Sequence, residues 1–493
     1  MTVPAVGSEK PNTSTLWWSV AVALVLCGLV GAGLTVVAAT TGRGGPGITA
    51  KVSVPVLSAR RAPQALQLAV GRSHLSNVVT DQLASSDLGP AREKSCVVVS
   101  AAGGLVVAES PDLLVVPAST MKVLTATSAL ARLGGPTRFR TEVRSVNKPS
   151  GPTLNGDLWL VGGGDPLLET ADYTKTQRHD PAEATSFDAL VDDMVKTGIT
   201  TVTGSVVGDG RRFDDKTRVS SWKRSYTSGG EVGVISGLMV NDNSSVITAK
   251  GRRVASTDPS ADAARLLKSM LGDRGITVLG ESRSAVGTDR AAGLAAPETL
   301  AVVESGPIGD VVGEMLRWSD NTTAEMLVKE IGYVDGSTPV PGGWPLGLTR
   351  IERSLHLSGV TGVGLRLIDG SGLDVSNRVT CRILLQTIES HPKSSAFFAG
   401  LPVMGESGTL RSRLRNSPAK GRVRAKTGTL NGVSSLAGVA DASDGSVITF
   451  AMVFNGLSST ATGVAAADAI VEALVEFPRA PSLAEFHRGL PLP

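Results

Sequence analysis

Three polar motifs lie far apart in the chain, and each stands at the boundary of a predicted regular element. The first, Ser119-Thr120-Met121-Lys122, opens a helical stretch that follows Pro117. The second, Ser319-Asp320-Asn321, falls on a loop between two predicted helices. The third, Lys426-Thr427-Gly428-Thr429, is predicted to lie on an edge strand before a Gly-rich turn. A helix start, a loop and an edge strand can line one cleft, so we expect the three motifs to meet.

The Ser-x-x-Lys pattern alone is a weak signal, because it begins at five serines: Ser119, Ser145, Ser220, Ser390 and Ser417. A spacing of three places both side chains on one helix face. A helix N-terminus also offers backbone N–H groups to an oxyanion. Only Ser119 opens a convincing helix, whereas the other four stand before turns, prolines or a polar segment. Taken alone, Ser119 could equally be a simple N-cap residue.

The other two motifs also have structural alternatives. Lys-Thr-Gly occurs twice, and Lys196-Thr197-Gly198 ends a predicted helix, so Gly198 is interpreted as a C-cap. Ser319-Asp320-Asn321 could cap the helix that begins near Thr323. The functional interpretation rests on all three motifs, in this order and in these structural settings. A chance match to all three is far less probable than a chance match to any one of them.

Composition excludes several classes of function. The chain has 48 basic and 45 acidic residues, and aromatic residues make up 4% of it, so nucleic acid is not an expected partner. The five histidines form neither an HExxH pair nor an obvious triad. The cysteines, Cys27, Cys96 and Cys381, lack the spacing of a zinc or redox site. Cys96 and Cys381 could pair in an exported protein, but we favour two small buried residues.

The N-terminal region contains an uncharged stretch, Leu16–Ala39, that is long enough to cross a bilayer as one helix. We predict a cytoplasmic N-terminus over residues 1–15, a transmembrane helix over 16–39 and a flexible linker over 40–72. The alternative is a cleaved signal peptide, since small residues occur at Ala38 and Ala39. Basic residues flank the stretch on both sides, so the positive-inside rule does not orient it.

The rest of the chain predicts an α/β (α+β) fold with an insertion. Residues 73–145 and 301–480 are predicted to form a catalytic domain with a hairpin near Cys96 and a final helix over Ala461–Phe477. Residues 146–300 contain short β-like runs with many turns and are interpreted as an inserted β-rich domain. Residues 481–493 are interpreted as a C-terminal tail.

The three motifs together are the signature of penicillin-binding proteins and related β-lactamases. The chain resembles, within that group, the D-alanyl-D-alanine carboxypeptidase/endopeptidase family, the class C low-molecular-mass penicillin-binding proteins. The likeness covers roughly residues 75–475 and includes further segments: Gly156–Pro166, Gly204–Phe213, Gly230–Gly233, Val240–Asn243, Asp369–Leu373 and Gly408–Leu410. One departure is Asp374-Val375, where relatives often have Ser-Arg near the site of side-chain recognition.

The resemblance implies a transpeptidase/β-lactamase-like domain, with an antiparallel sheet flanked by helices and an insertion between the first two motifs. It also implies a role for each motif residue. Ser119 would be the nucleophile and Lys122 a base held neutral by burial and by the charge of Lys426. Ser319 would relay a proton to the leaving amine, and Asn321 would hold both the substrate amide and Lys122.

The remaining residues would bind the substrate. Lys426, Thr427 and Thr429 would hold the terminal carboxylate, and Gly428 and Asp320 are counted among the substrate-binding residues. The backbone N–H groups of Ser119 and Thr429 would form an oxyanion hole. This chemistry needs neither a metal nor an organic cofactor.

The partners that the resemblance implies are peptidoglycan peptides ending in D-Ala-D-Ala and β-lactam antibiotics. That substrate lies outside the cytoplasmic membrane, so we expect a single-pass protein of the cell membrane with an extracytoplasmic catalytic domain. Two alternatives stay open. A β-lactamase shares the motifs but usually lacks a long insertion, and a membrane-anchored penicillin-binding scaffold would bind the drug with little catalysis.

Overall fold

A five-stranded antiparallel sheet carries the edge strand that holds the third motif. The computed structural model describes residues 62–84, 87–101, 104–247, 253–287, 289, 296–336 and 339–478. The predictions for residues 1–39, for most of the linker and for the tail at 481–493 lie outside these ranges. Among the described residues, no helix is both long and apolar enough to cross a membrane.

The helices and strands follow one another in mixed order along the chain. The helices are α1 (Ala62–Ala84), α2 (Met121–Leu133), α3 (Ala171–Thr174), α4 (Phe187–Lys196), α5 (Arg224–Ser228), α6 (Pro259–Asp273), α7 (Ile308–Trp318), α8 (Asn321–Gly332), α9 (Trp344–Leu357), α10 (Cys381–Glu389), α11 (Ala396–Gly400) and α12 (Thr460–Glu476). The strands are β1 (Ser95–Ala101), β2 (Gly104–Glu109), β3 (Arg140–Ser145), β4 (Thr153–Leu154), β5 (Leu158–Val161), β6 (Leu168–Glu169), β7 (Thr185–Ser186), β8 (Thr201–Val202), β9 (Val206–Asp209), β10 (Ser244–Ile247), β11 (Arg253–Ala255), β12 (Thr277–Val278), β13 (Ser282–Ser284), β14 (Glu298–Glu304), β15 (Val423–Leu430), β16 (Val433–Asp441) and β17 (Val447–Asn455).

The main sheet has the strand order β15-β16-β17-β1-β2 and is antiparallel throughout. It is buried on both faces, because alternate side chains of β1 enter two different cores. Cys96 and Val98 pack with α2, α7, α8 and α10. Val97 and Val99 pack on the other face with α1 and α12. The predicted hairpin, the helix at Ile308–Trp318 and the final helix are confirmed.

A second sheet, with the order β13-β9-β5-β3-β14, lies in the part of the chain between the first two motifs. It mixes parallel and antiparallel pairs and packs on α4 and α6 through residues such as Leu160, Phe187 and Leu267. Its outer limits, at Arg140 and Glu304, extend slightly beyond the predicted insertion at 146–300. The division of the chain into domains stays a prediction.

The linker prediction was wrong for residues 62–72, because α1 begins at Ala62. Farther along α1, Leu75, Val79 and Leu83 recur every fourth residue, and all three are buried. That spacing is typical of a helix that packs along one face. The small and polar residues before Leu75 made the composition resemble a linker and obscured this pattern.

The two cysteines that we took for unpaired buried residues form a disulfide. Cys96 in β1 and Cys381 at the start of α10 are bonded, at a sequence separation of 285. The prediction was wrong because nothing in the sequence places β1 beside α10. The bond ties the main sheet to a helix on the same face as α2.

Candidate active site

Ser119 stands on a single 3₁₀ turn, Ala118–Thr120, that leads directly into α2. The residue before it, Ala118, has a φ of 49°, a conformation that costs a non-glycine residue about 1–3 kcal/mol. Its carbonyl oxygen is packed against Gly372, where a Cβ would lie only 1.9 Å away. The left-handed residue thus turns the chain sharply at the point where the serine enters the site.

Lys122 lies one helical turn after Ser119 and is fully buried. Its Nζ donates to Asn321 Oδ1 at 2.6 Å and to the Ser371 carbonyl oxygen at 2.8 Å. The same nitrogen lies 3.2 Å from Ser119 Oγ. The amide of Asn321 is oriented by its own Nδ2, which donates to the Glu231 carbonyl at 2.7 Å. Lys122 therefore joins the first and second motifs directly.

These three partners suit a neutral amine. The two carbonyl-type oxygens can only accept, so they use both N–H bonds of a neutral Lys122. When Lys122 is protonated, its third N–H donates to Ser119 Oγ, and when it is neutral, its lone pair is left to accept the proton of that hydroxyl. Burial lowers the pKa of Lys122 to about 8, although nearby carboxylates, including the half-buried Asp320 and the buried Glu325, oppose the shift.

The second motif adopts a tight turn between α7 and α8. Ser319 ends α7 with a φ of 65°, and its Oγ accepts from Lys426 Nζ at 2.8 Å. Asp320 caps α8, because its Oδ1 accepts from the Thr323 amide at 2.6 Å. The N-cap interpretation of this motif is thus correct for Asp320, while Ser319 and Asn321 contact the two lysines.

The third motif lies on β15, which is the edge strand of the main sheet, as predicted. Lys426 is fully buried and also donates to the Thr427 carbonyl at 2.7 Å. Its pKa lies well below the ordinary value, because of burial and of repulsion by Lys122. The hydroxyl of Thr427 donates to Thr409 Oγ1 at 2.8 Å.

Gly428 allows β15 to approach the nucleophile closely. A Cβ at this position would lie 2.2 Å from Ser435 Oγ and 2.9 Å from the backbone nitrogen of Ser119. Even a methyl group would therefore push the strand away from the turn that carries Ser119. The glycine of the third motif is explained by this contact.

The direction of the Thr429 amide follows from the alternation of backbone groups along a strand. The amide of Ala425 donates to Pro402, on the side of β15 that faces away from β16. The carbonyl of Thr427, which accepts from Lys426, lies on the same side. Thr429 is an even number of residues from both Ala425 and Thr427. Its N–H therefore also points away from β16, toward the side on which Lys426 Nζ contacts the Thr427 carbonyl.

Two buried carboxylates behind Lys122 were missed by the sequence prediction. Glu325 accepts from the amides of Gly370 and Ser371, and thereby orients the Ser371 carbonyl toward Lys122. Asp369 accepts from the amides of Gly372 and Asp374. Burial raises the pKa of Glu325 to about 7 and also raises that of Asp369. Glu325 follows Asn321 by one helical turn, but this spacing does not indicate its contact with Gly370 and Ser371.

The sequence copies of the motifs are structural. Lys196 ends α4 and Gly198 has a φ of 76°, as expected for a residue that follows a helix C-terminus. Ser145 ends β3, and Ser390 caps the C-terminus of α10. Asp374-Val375 is the position at which the sequence departs from the family pattern. Asp374 is buried there and accepts a hydrogen bond from Ser221 Oγ.

The chain matches one known protein family over most of its length. Residues 75–253 and 245–477 match the model of the D-Ala-D-Ala carboxypeptidase 3 (S13) family. The chain belongs to this family. The predicted enzyme class, a serine-type D-Ala-D-Ala carboxypeptidase, is thereby confirmed.

Curated relatives agree with this assignment. A D-alanyl-D-alanine carboxypeptidase of Actinomadura sp. (strain R39) is 32% identical over 450 residues, which cover 76% of this chain and 79% of the relative. The carboxypeptidase Rv3627c of Mycobacterium tuberculosis is 31% identical, and the match covers 70% of this chain and 72% of that one.

Solved structures share the fold. Penicillin binding protein 4 (dacB) of Haemophilus influenzae gives a TM-score of 0.64 at 21% identity, over 79% of this chain and 98% of that one. The same protein complexed with a β-lactam gives a TM-score of 0.61 at 21% identity, over 81% of this chain and 99% of that one. The predicted mixed α/β fold with an antiparallel sheet is confirmed by this likeness.

Proposed function

We propose that Ser119 is the nucleophile that releases the terminal D-alanine from peptidoglycan stem peptides ending in D-Ala-D-Ala. The observation that carries this proposal is the hydrogen bonding of Lys122. Two carbonyl oxygens accept from its nitrogen, and Ser119 Oγ lies 3.2 Å away. A neutral lysine held in this way has one lone pair, and that lone pair is directed at the hydroxyl.

Acylation follows from this arrangement. Ser119 Oγ attacks the carbonyl carbon of the penultimate D-alanine while its proton passes to Lys122 Nζ. The tetrahedral intermediate then expels the amine of the last D-alanine, which takes the proton of the Ser319 hydroxyl, and Lys426 Nζ, which donates to Ser319 Oγ, replaces that proton. The contact of Ser319 Oγ with Lys426 Nζ, at 2.8 Å, supports this relay. Water then hydrolyses the ester and restores Ser119.

The oxyanion of the intermediate needs two donors. The amide of Ser119 lies beside β15, as its 2.9 Å distance from a Cβ at position 428 indicates. The amide of Thr429 points away from β16, because backbone groups alternate along a strand and those of Ala425 and Thr427 point the same way. We propose these two N–H groups as the oxyanion hole, in which one donor is typically worth about 10²–10³ in rate.

Substrate recognition is assigned to both walls of the cleft. Lys426, Thr427 and Thr429 would bind the terminal carboxylate. An anion there would raise the pKa of Lys426 again, so the site would become charged as the substrate binds. Asn321 would hold the substrate amide, and a β-lactam would occupy the same positions. Gly428 contributes by its lack of a side chain, and Asp320 by capping α8.

The cellular location of the protein is a separate proposal. The substrate lies outside the cytoplasmic membrane, which supports residues 16–39 as a single-pass anchor and an extracytoplasmic catalytic domain. The disulfide between Cys96 and Cys381 is consistent with an oxidising compartment. External protease should degrade the catalytic part in cells whose wall has been removed but whose membrane is intact. Full protection of that part would contradict the proposed orientation.

One experiment separates the proposed enzyme from its two alternatives. The purified protein is incubated with pentapeptide and cross-linked muropeptides, and the products are identified by mass spectrometry. Release of D-alanine supports a carboxypeptidase, and cleavage of cross-links would add endopeptidase activity. Fast release of hydrolysed penicillin would favour a β-lactamase, and penicillin labelling without peptide cleavage would favour a scaffold. Normal D-alanine release by Ser119→Ala would contradict the proposed mechanism.

A further inference from the structure

A single peptide group in the loop at residues 369–374 connects Lys122 to a buried carboxylate. The carbonyl of this peptide group belongs to Ser371 and accepts from Lys122 Nζ at 2.8 Å. Its N–H belongs to Gly372 and donates to Asp369 Oδ1 at 2.8 Å. Because a peptide group is planar and polar, it can transmit charge from one hydrogen bond to the other. Lys122, the peptide group and Asp369 therefore form one hydrogen-bonded chain.

The hydrogen bonds of Asp369 fit an ionised carboxylate. Its Oδ1 also accepts from Asn377 Nδ2 at 2.7 Å. Its Oδ2 accepts from the Asp374 amide at 2.7 Å and from Trp222 Nε1 at 2.9 Å. A charged carboxylate only accepts, and these partners are all N–H donors. Burial raises the pKa of Asp369, and the donors oppose that shift.

Glu325 is a second buried carboxylate that donors surround beside the same loop. Its Oε1 accepts from the Ser371 amide at 2.7 Å, and its Oε2 accepts from Trp344 Nε1 at 2.7 Å. The amide of Gly370 lies 3.1 and 3.2 Å from the two oxygens. Burial and the charge of Asp369 raise the pKa of Glu325, whereas these hydrogen bonds lower it. The donors thus favour a second negative charge in the protein interior.

Neither carboxylate has an ion-pair partner among the residues that the structure describes. Lys329 lies over the ring of Trp344, at 4.3 Å from its centroid, but it pairs with Asp214 at 2.7 Å. Buried charges without an opposite charge are costly. A protonated Lys122, at the other end of the hydrogen-bonded chain, would supply that opposite charge.

Lys122 itself is surrounded by charged groups. Burial lowers its pKa, and four carboxylates on two helices and two loops oppose the shift: Asp320, Glu325, Asp369 and Glu314. Lys426 repels it from β15, and this repulsion lowers the pKa of Lys426. On the far side of the loop, burial and the charges of Asp374 and Asp369 raise the pKa of Tyr226. Asp369 and Glu325 are the carboxylates tied to the loop whose carbonyl contacts Lys122.

The proposed reaction creates a positive charge at this place. When Ser119 attacks, its proton moves to Lys122 Nζ and converts a neutral amine into a buried ammonium. Fixed negative charges and oriented dipoles stabilise such a charge most effectively when they are in place before the reaction. Asp369 and Glu325 are held in this way by their N–H donors, and neither needs to take the proton.

We propose that Asp369 and Glu325 are positioning residues, which hold the Ser371 carbonyl on Lys122 and stabilise the positive charge that Lys122 acquires from Ser119. The proposal rests on the proposed function, in which Lys122 is the base. The role corresponds to that of the aspartate in a Ser-His-Asp triad, which orients the base and stabilises its protonated form without becoming protonated.

Two variants test the proposal, because Asp369→Asn and Glu325→Gln each remove one charge with little change of shape. Without that charge the ammonium is less stable, so Lys122 should lose its proton at a lower pH. The second-order rate of acylation by benzylpenicillin is measured from pH 6 to pH 9. We expect its apparent pKa to fall by about one unit from the wild-type value of about 8. The plateau rate should fall at least about tenfold, because the base is weaker and less well oriented.

Glu330→Gln is the matched control. It makes the same exchange at a buried position of the same helix, but Glu330 pairs with Arg212. Its apparent pKa should equal that of the wild-type protein. Far-ultraviolet circular dichroism and the urea midpoint of each variant separate a loss of structure from a loss of charge.

The pH profile distinguishes the proposed role from a purely structural one. If the two variants react more slowly but keep the wild-type apparent pKa, the proposal is wrong. An equal shift in Glu330→Gln would also overturn it. If Asp369→Asn does not fold, the shift in Glu325→Gln decides.

The wild-type protein reports separately on the proposed function. Absence of reaction with benzylpenicillin would contradict the assignment of Ser119. A rate that does not change with pH would contradict Lys122 as the base. A rate that rises with pH in the wild-type protein, with an unshifted profile in the variants, would contradict the role of Asp369 and Glu325 alone.

Discussion

In the proposed mechanism, the protonation state of Lys122 decides whether Ser119 can react. Its two carbonyl acceptors fit a neutral amine, and burial lowers its pKa to about 8. The sign of the pH dependence follows from this shift. Below pH 8 the lysine is protonated and has no lone pair for the Ser119 proton, so the base is lost as the pH falls.

We therefore expect the second-order rate of acylation by benzylpenicillin to rise from pH 6 to pH 8, with an apparent pKa of about 8. At pH 7 the rate should be about a tenth of its plateau, as expected for one group that titrates one unit higher. Stopped-flow measurement across this range checks the prediction. A rate that is constant over the range would show that Lys122 is not the base. Lys122→Arg, which cannot lose its proton, should remove most of the rate.

A second prediction at the scale of single residues concerns Gly428. Its replacement by alanine places a Cβ 2.2 Å from Ser435 Oγ and 2.9 Å from the Ser119 nitrogen. Overpacking of this kind costs about 1–3 kcal/mol, and here it also displaces the Ser119 amide, a proposed oxyanion-hole donor. The acylation rate of Gly428→Ala should fall at least about tenfold.

The control for this variant is Gly272→Ala, at a position where a Cβ meets nothing within 4 Å. Its acylation rate should equal that of the wild-type protein. Wild-type kinetics in Gly428→Ala would mean that the close approach of β15 to Ser119 is unnecessary for the reaction.

The residues that we propose to carry the chemistry were predictable to different degrees. Ser119, Ser319 and Lys426 belong to short motifs, and structural setting separated the true motifs from their copies. The role of Glu325 was not predictable, because it acts through the backbone of Gly370 and Ser371. A contact between residues 45 positions apart leaves no local pattern in a sequence.

At the scale of elements, periodicity predicted most of the helices and strands near the site. The prediction missed the start of α1 and the disulfide, for two different reasons. The helix α1 starts in a stretch whose composition resembles a linker, and this composition obscured a face that packs from Leu68 to Leu83. The disulfide joins β1 to α10, and their proximity is a property of the fold rather than of either segment.

The disulfide gives a prediction about stability. Cys96 and Cys381 close a loop with a sequence separation of 285, and removing a native disulfide typically costs about 2–5 kcal/mol. Cys96→Ala/Cys381→Ala should therefore unfold at a lower urea concentration than the wild-type protein. Addition of a reductant should lower the midpoint of the wild-type protein and leave that of the double variant unchanged. A wild-type midpoint that does not respond to the reductant would argue against the bond in solution.

At the scale of the whole molecule, the fold explains how motifs about 200 and 105 residues apart reach one site. The main sheet is made of the segments that flank the insertion, and its edge strand β15 lies beside the start of α2. The long segment between the first two motifs forms its own sheet and contributes Glu231, whose carbonyl orients Asn321. The domain organisation stays a prediction, and the sequence did not indicate that the segment between the first two motifs would contact Asn321.

The central claim is that Ser119 forms the acyl-enzyme, and mass spectrometry of the penicillin adduct tests it most directly. The protein is incubated with benzylpenicillin, digested and analysed for a peptide that carries the penicilloyl mass. We predict one modified peptide, with the adduct on Ser119, and no adduct in Ser119→Ala. An adduct on another serine, or unchanged labelling of Ser119→Ala, would contradict the account.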